Sequence, residues 1–230
     1  MKNIKKKSYG KEILKNISLV IFSILLAIYM LEIIYSLYSI SGYRYKKWPQ
    51  LIGKDIDLIP PSFFISKINN ENEIYPLSGI SNKLTILCNE SGYWKTYKSD
   101  RYGFNNPDKE WDKLHFDFVL IGDSYAMGNC VREKDTIAGQ LRNKTEVLNL
   151  GYGGNGPLLE YATLREYFKH IEAKNVLWLY YESDLQDFQS ELSNKVLIKY
   201  LEDINFTQNL INKQKEIDFI ASNALLQELK

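Results

Sequence analysis

The sequence predicts an α/β domain with a parallel sheet, preceded by one transmembrane helix. Two observations carry this. Residues 17–40 form a long apolar segment whose only charge is Glu32. From residue 116 onward, short apolar runs at 116–121, 147–150 and 175–181 each run into a glycine-rich or polar loop, with helical stretches between them. Strand, helix, strand, helix, strand in that order implies parallel pairing with crossover connections. Apolar strands with little alternation suit a sheet covered on both faces.

About 20 apolar residues span a bilayer as a helix. Lys2, Lys5, Lys6, Lys7, Lys11 and Lys15 precede the apolar segment, and Arg44, Lys46 and Lys47 follow it. The heavier basic flank stays in the cytoplasm, so the rest of the chain is expected outside. Tyr43, Tyr45 and Trp48 suit an interfacial aromatic belt. A cleaved signal peptide is the competing reading, but no Ala-x-Ala site follows. A soluble core helix would show a polar face. Glu32 is placed towards the outer end, reaching the headgroups, and is given no role.

The remaining composition excludes several classes. With 29 basic and 28 acidic residues, the net charge of +1 offers no basic face for nucleic acid. A hydrophobic content of 45% and 17 tyrosines suffice for one core and rule out disorder. Cys88 and Cys130 either pair in an oxidising compartment or remain two free thiols. Two cysteines and two distant histidines provide no metal-ligand cluster, and no metal or cofactor is expected.

The elements follow in order. Residues 1–16 are a basic cytoplasmic tail and 17–40 the transmembrane helix. Residues 41–110 are an extracytoplasmic connector with short strands, and 111–230 the α/β domain. Pro49, Pro60 and Pro61 mark irregular structure early in the connector. Residues 85–88 and 93–97 form two short strands around a turn at 89–92. Asp100-Arg101-Tyr102-Gly103-Phe104-Asn105-Asn106-Pro107 is a turn-rich approach to the main domain. Residues 116–121 are a buried strand ending at Gly122. Residues 136–142 are a helix with Asp135 as its N-cap. Residues 147–150 are a second strand ending at Gly151. Residues 157–170 are a helix with Pro157 in its first turn. Residues 175–181 are a third strand, with Trp178 and Tyr180 in the core. Helices are expected over 191–200 and 210–229. The sheet so formed is incomplete, and the domain is expected to be C-terminally truncated at Lys230.

Ligands of a parallel α/β sheet bind at the carboxyl ends of its strands. Three loops leave those ends: Gly122 to Gly128, Gly151 to Gly156, and Glu182-Ser183-Asp184. A serine there can attack a carbonyl while backbone N–H groups hold the oxyanion, an effect worth about 3–4 kcal/mol per donor. Asp123 is expected to shape its loop through backbone hydrogen bonds, and Asp184 to orient its neighbours. Glu182 and Asp187 are expected to be solvated.

Gly122-Asp123-Ser124, the stretch from Asn149 to Gly154, and Tyr181-Glu182-Ser183-Asp184-Leu185 together resemble the first three sequence blocks of the SGNH (GDSL) hydrolase family. The resemblance implies a three-layer α/β/α, flavodoxin-like fold and a serine esterase or O-acyl transfer activity. Ser124 then stands in the nucleophile's place. The oxyanion hole falls to Ser124, Gly154 and Ser183, where Ser183 replaces an amide with a shorter hydroxyl. Cys88 to Gln214 is also similar to a bacterial membrane-anchored subgroup, through Asn89-Glu90-Ser91-Gly92, the 100–107 turn and Asn155-Gly156-Pro157-Leu158. That similarity implies a single-pass protein of the bacterial inner (cytoplasmic) membrane and an ester substrate such as an acylated cell-surface glycan. The oligomeric state stays open.

The family's fourth block, an Asp-x-x-His that supplies the base, has no counterpart here. His115 precedes the first strand of the domain, roughly 20 Å from its serine end at about 3.3 Å per residue. His170 closes the 157–170 helix, after the second loop, at the opposite pole of the sheet. Neither is within the about 3 Å a general base requires. The chain is therefore expected to show little or no activity by itself, with the missing block encoded downstream. The alternative is a non-catalytic envelope protein on the same scaffold, binding a glycan or a partner protein.

Overall fold

The computed structural model describes residues 2–40, 58–59, 74–88, 90, 95–182 and 184–228. The expected aromatic belt at Tyr43, Tyr45 and Trp48, the connector's Pro49, Pro60 and Pro61, and Ser183 lie outside these residues. Two compact units divide the chain, Met1–Gln50 and Leu51–Lys230.

Among the described residues, the first unit contains one helix, α1 (Lys2–Ile40). Its segment Lys15–Tyr35 is long and apolar enough to cross a membrane, a property a signal sequence near the N-terminus shares. Leu25, Tyr29 and Leu31 all stand out from the helix without protein cover. An apolar surface of that size is stable only in an apolar medium or against a partner.

The second unit is mixed α/β and holds two sheets among the described residues. The smaller comprises β1 (Leu58–Ile59), β2 (Leu84–Cys88) and β3 (Lys95–Lys98) in that order. β1 and β2 run parallel, and β2 and β3 antiparallel, with Thr85 opposite Tyr97. The larger sheet is fully parallel. It consists of β4 (His115–Ile121), β5 (Val147–Asn149) and β6 (Glu172–Trp178), in the order β5-β4-β6.

Alternate residues of β4 feed two separate cores. Val119 and Ile121 pack with Leu148, Leu150 and the helix α4 (Pro157–Tyr167) through Leu158, Leu159 and Ala162. Leu120 packs with Ala126, Ala138 and Val147, joined by Leu177 and Leu179. Ala138 belongs to the short helix α3 (Ile137–Leu141). Both faces of the central strand are thus covered, which accounts for the unbroken apolar run from Phe118 to Ile121.

Four local expectations shift. Thr136, not Asp135, caps α3, because its hydroxyl accepts the Gly139 N–H while Asp135 sits in a preceding 3₁₀ turn. Strand β6 starts three residues earlier than expected, because Glu172 and Ala173 pair with β4 although the segment Glu172 to Asn175 is mostly polar. In place of one helix over 191–200 there are two, α5 (Asp184–Glu191) and α6 (Lys195–Glu202). Asn194 separates them by accepting the N–H groups of Val196 and Leu197. The last helix, α7 (Gln214–Glu228), follows a 3₁₀ turn at Leu210–Asn212.

Trp178 and Tyr180 are not core residues. Among the described residues β6 is an edge strand paired with β4 alone, and Trp178 is 44% and Tyr180 57% exposed.

The approach segment does more than connect. Phe104 is fully buried and packs edge-to-face on Tyr167 at the end of α4. Asp100, also fully buried, accepts the N–H groups of Tyr102 and Phe104, the Asn106 amide and the Trp111 indole N–H. Burial pushes its carboxyl up to about 6 even against these four donors. Cys88 and Cys130 form a disulfide, which joins β2 to the chain just beyond the serine loop.

Candidate functional site

The serine loop begins where β4 ends. Gly122 holds a backbone φ of +151°, and a Cβ there would lie 2.8 Å from Ala126 Cβ and 2.9 Å from the Leu179 carbonyl oxygen. Only glycine permits so tight a departure from the strand. Asp123 then caps the short helix α2 (Ser124–Met127), its Oδ1 accepting the Tyr125 N–H at 2.8 Å. Ser124 is the first residue of that helix and is partly exposed. Its position in the first turn leaves its N–H without a helical acceptor.

The second loop lies against the first. Asn149, buried at the end of β5, donates to the Ala126 carbonyl and accepts the Gly151 N–H, both from one side chain. The Tyr152 N–H reaches the Gly122 carbonyl, and the Gly153 N–H faces the Met127 sulfur at 3.3 Å. Gly154 has φ +83°, and a Cβ there would meet nothing within 4 Å. Its N–H has no partner among the described residues, so it is available to an incoming oxygen.

Two braces hold this pair of loops. Asn105 donates to the Met127 carbonyl, and Asn106 donates to the Asn149 carbonyl and accepts the Asn149 N–H. From the other side, Glu191 at the end of α5 accepts the N–H groups of Gly156 and Leu158. It supplies the α4 N-terminus with the cap that Gly156 cannot provide.

The third loop completes the cluster. Asp184 accepts the Tyr181 N–H at 2.6 Å and opens α5. Tyr181 and Tyr125 bring their rings to 5.1 Å at 40°. All three strand-end loops therefore gather at one end of the parallel sheet, with Ser124 and Gly154 on adjoining loops. The proposed third oxyanion donor, Ser183, lies outside the described residues.

Carboxyl groups dominate the surroundings. Glu160, on α4, is 1% exposed and accepts the Trp178 indole N–H at 2.6 Å. Burial first, and then the charges of Asp184, Asp123 and Glu191, push its carboxyl up to about 8. The Asp184 and Glu191 carboxyls are also raised, chiefly by burial.

No base stands beside the serine among the described residues. Asp123 Oδ2 is 3.4 Å from Ser124 Oγ, beyond the about 2.6–3.2 Å of a working proton transfer, and Oδ1 is occupied by the Tyr125 N–H. His115 begins β4 at the opposite pole and pairs with Glu172 at 2.9 Å on the surface. His170 is exposed at the end of the 3₁₀ turn that follows α4. No group of three or more His, Cys, Asp or Glu side chains among the described residues could hold a metal ion.

Sequence reasoning missed Asp100, Asn105, Asn106, Glu160 and Glu191 as builders of the site. The first three lie in the 100–107 turn, whose glycine and asparagines were a usable signal. Glu160 and Glu191 sit inside helices, where a carboxylate reads as solvated. No family model, curated protein or solved structure matches the chain.

Proposed function

We propose that this chain is a membrane-anchored SGNH-type serine esterase or O-acyl transfer protein in which Ser124 is the nucleophile. Ser124 Oγ attacks the acyl carbonyl of an ester, such as an O-acyl group on a glycan. The oxyanion that forms is held by the N–H groups of Ser124 and Gly154. The helix α1 serves as an uncleaved anchor with the basic tail in the cytoplasm, and the α/β unit works outside. The Cys88–Cys130 disulfide supports that placement, because such bonds persist in oxidising compartments.

The observation that carries the reading is the position of Ser124. It stands in the first turn of α2, just past a central parallel strand, beside a loop whose Gly154 N–H is free among the described residues. A nucleophile and an oxyanion donor side by side at the strand ends are two of the parts acyl transfer needs. The general base is the part that the described residues do not supply, so reactivity of these 230 residues is expected to be low. Losing a triad member typically removes several orders of magnitude.

A second reading, a non-catalytic binding protein on the same scaffold, is favoured by that missing base. Labelling of the purified chain with a fluorophosphonate probe separates the two. Slow labelling at Ser124, abolished in Ser124→Ala, supports the esterase. Absence of labelling from a folded chain supports the binding protein.

A further inference from the structure

The rim beside Ser124 combines two features that a buried catalytic pocket does not need. Tyr125 is 60% and Tyr181 49% exposed, yet their rings sit against each other, 5.1 Å apart at 40°. Each ring is carried by a residue whose backbone N–H is held by a carboxylate, Tyr125 by Asp123 and Tyr181 by Asp184. The two carboxylates lie close enough to repel each other, and Asp187 adds to that repulsion. None of the three is ion-paired with a Lys, Arg or His among the described residues. Asp184 is 1% exposed, and its Oδ1 has no hydrogen-bond partner among those residues.

Aromatic faces over uncompensated negative charge attract cations. The ring quadrupole presents negative charge at its face, and the carboxylates that hold the two tyrosine N–H groups add to the local negative potential. An alkylated ammonium suits this arrangement better than a metal ion. It can shed water onto the rings, whereas the carboxyls here do not form a metal-ligand set.

We infer that the Tyr125–Tyr181 pair, backed by Asp123, Asp184 and Asp187, is a subsite for an ammonium group on the ligand that reaches Ser124. This deepens the esterase reading, on which it rests, by naming the substrate as an ester that bears an ammonium group. Binding itself does not require Ser124 to react.

The test uses the full chain in a nonionic detergent and choline as the probe, read by saturation-transfer NMR of its methyl groups. Saturable binding is expected, about tenfold tighter than that of 3,3-dimethylbutan-1-ol, the neutral isostere. Tyr125→Leu and Tyr181→Leu, both at exposed positions, are expected to weaken choline binding about three- to tenfold. Asp187→Asn is expected to weaken it about threefold, with a shallower salt dependence. Ser124→Ala is expected to leave it unchanged. Equal binding of the neutral isostere, or choline binding indifferent to both tyrosine substitutions, overturns the subsite. Fluorophosphonate labelling of Ser124 without choline binding also overturns it and leaves the esterase reading standing. Choline binding in a chain whose Ser124 never reacts does the reverse.

Discussion

Replacing Glu160 by Gln removes an ionisable group whose charged form the fold cannot easily accommodate. Glu160 is almost wholly buried, one oxygen accepts the Trp178 indole N–H, and the other has no partner among the described residues. Its carboxyl lies at about 8 in the folded chain against 4.5 for an ordinary glutamate. The folded state therefore keeps a proton that the unfolded state releases. The stability this contributes is fully present below about pH 4.5 and is lost as the pH rises towards 8. Each unit of that window is worth about 1.4 kcal/mol, so the native state loses about 3 kcal/mol between pH 5 and pH 7.5 from this group. Glutamine keeps the shape and an acceptor for Trp178, but it does not ionise. Urea unfolding at several pH values, followed by tryptophan fluorescence, measures the difference between the two proteins directly. The variant is expected to match the parent near pH 5 and to exceed it by about 2–3 kcal/mol at pH 7.5. Parallel stability curves would refute the assignment of a buried, neutral Glu160.

Three further outcomes follow from the same geometry. Cys130→Ser opens a disulfide with a sequence separation of 42, and a loss of about 3–4 kcal/mol is expected in chemical denaturation, matched by reduction of the parent. Gly122→Ala forces a Cβ to within 2.8 Å of Ala126 Cβ and 2.9 Å of the Leu179 carbonyl, and is expected to cost about 2–3 kcal/mol in thermal unfolding. Glu191→Ala leaves the Gly156 and Leu158 N–H groups without their acceptor. Faster hydrogen exchange at both amides is expected, with a stability loss of about 2 kcal/mol.

The parts of the fold governed by local pattern were legible in the sequence. The strand β4 ends in the apolar run Phe118 to Ile121, closed by a glycine, and α4 starts at a proline that fits its first turn. Asp123 sits where a short polar side chain caps a helix, and it does so. The parts decided by tertiary contact were not. Glu172, Lys174 and Asn175 carry polar side chains, and the backbone pairing of Glu172, Ala173 and Asn175 to β4 makes the segment strand all the same. Trp178 and Tyr180 have core composition, but their exposure depends on what lies beside β6, which no local pattern reports. Glu160 and Glu191 resemble solvated helix charges until the packing of α4 against α5 buries them. Cys88 and Cys130 were compatible with either pairing or freedom, and only the position of β2 beside the serine loop decides between them.

Chemical rescue of Ser124 tests the central claim most directly. Imidazole added to the purified full chain substitutes for the base that the described residues do not bring to the serine. Hydrolysis of an activated aryl ester is then measured against the Ser124→Ala variant, which subtracts the reaction of imidazole with the ester in solution. The account predicts a Ser124-dependent rate that rises with imidazole concentration and an acyl group recoverable on Ser124. Identical rates for the parent chain and Ser124→Ala at every imidazole concentration, from a chain whose cooperative unfolding shows it is folded, would contradict it.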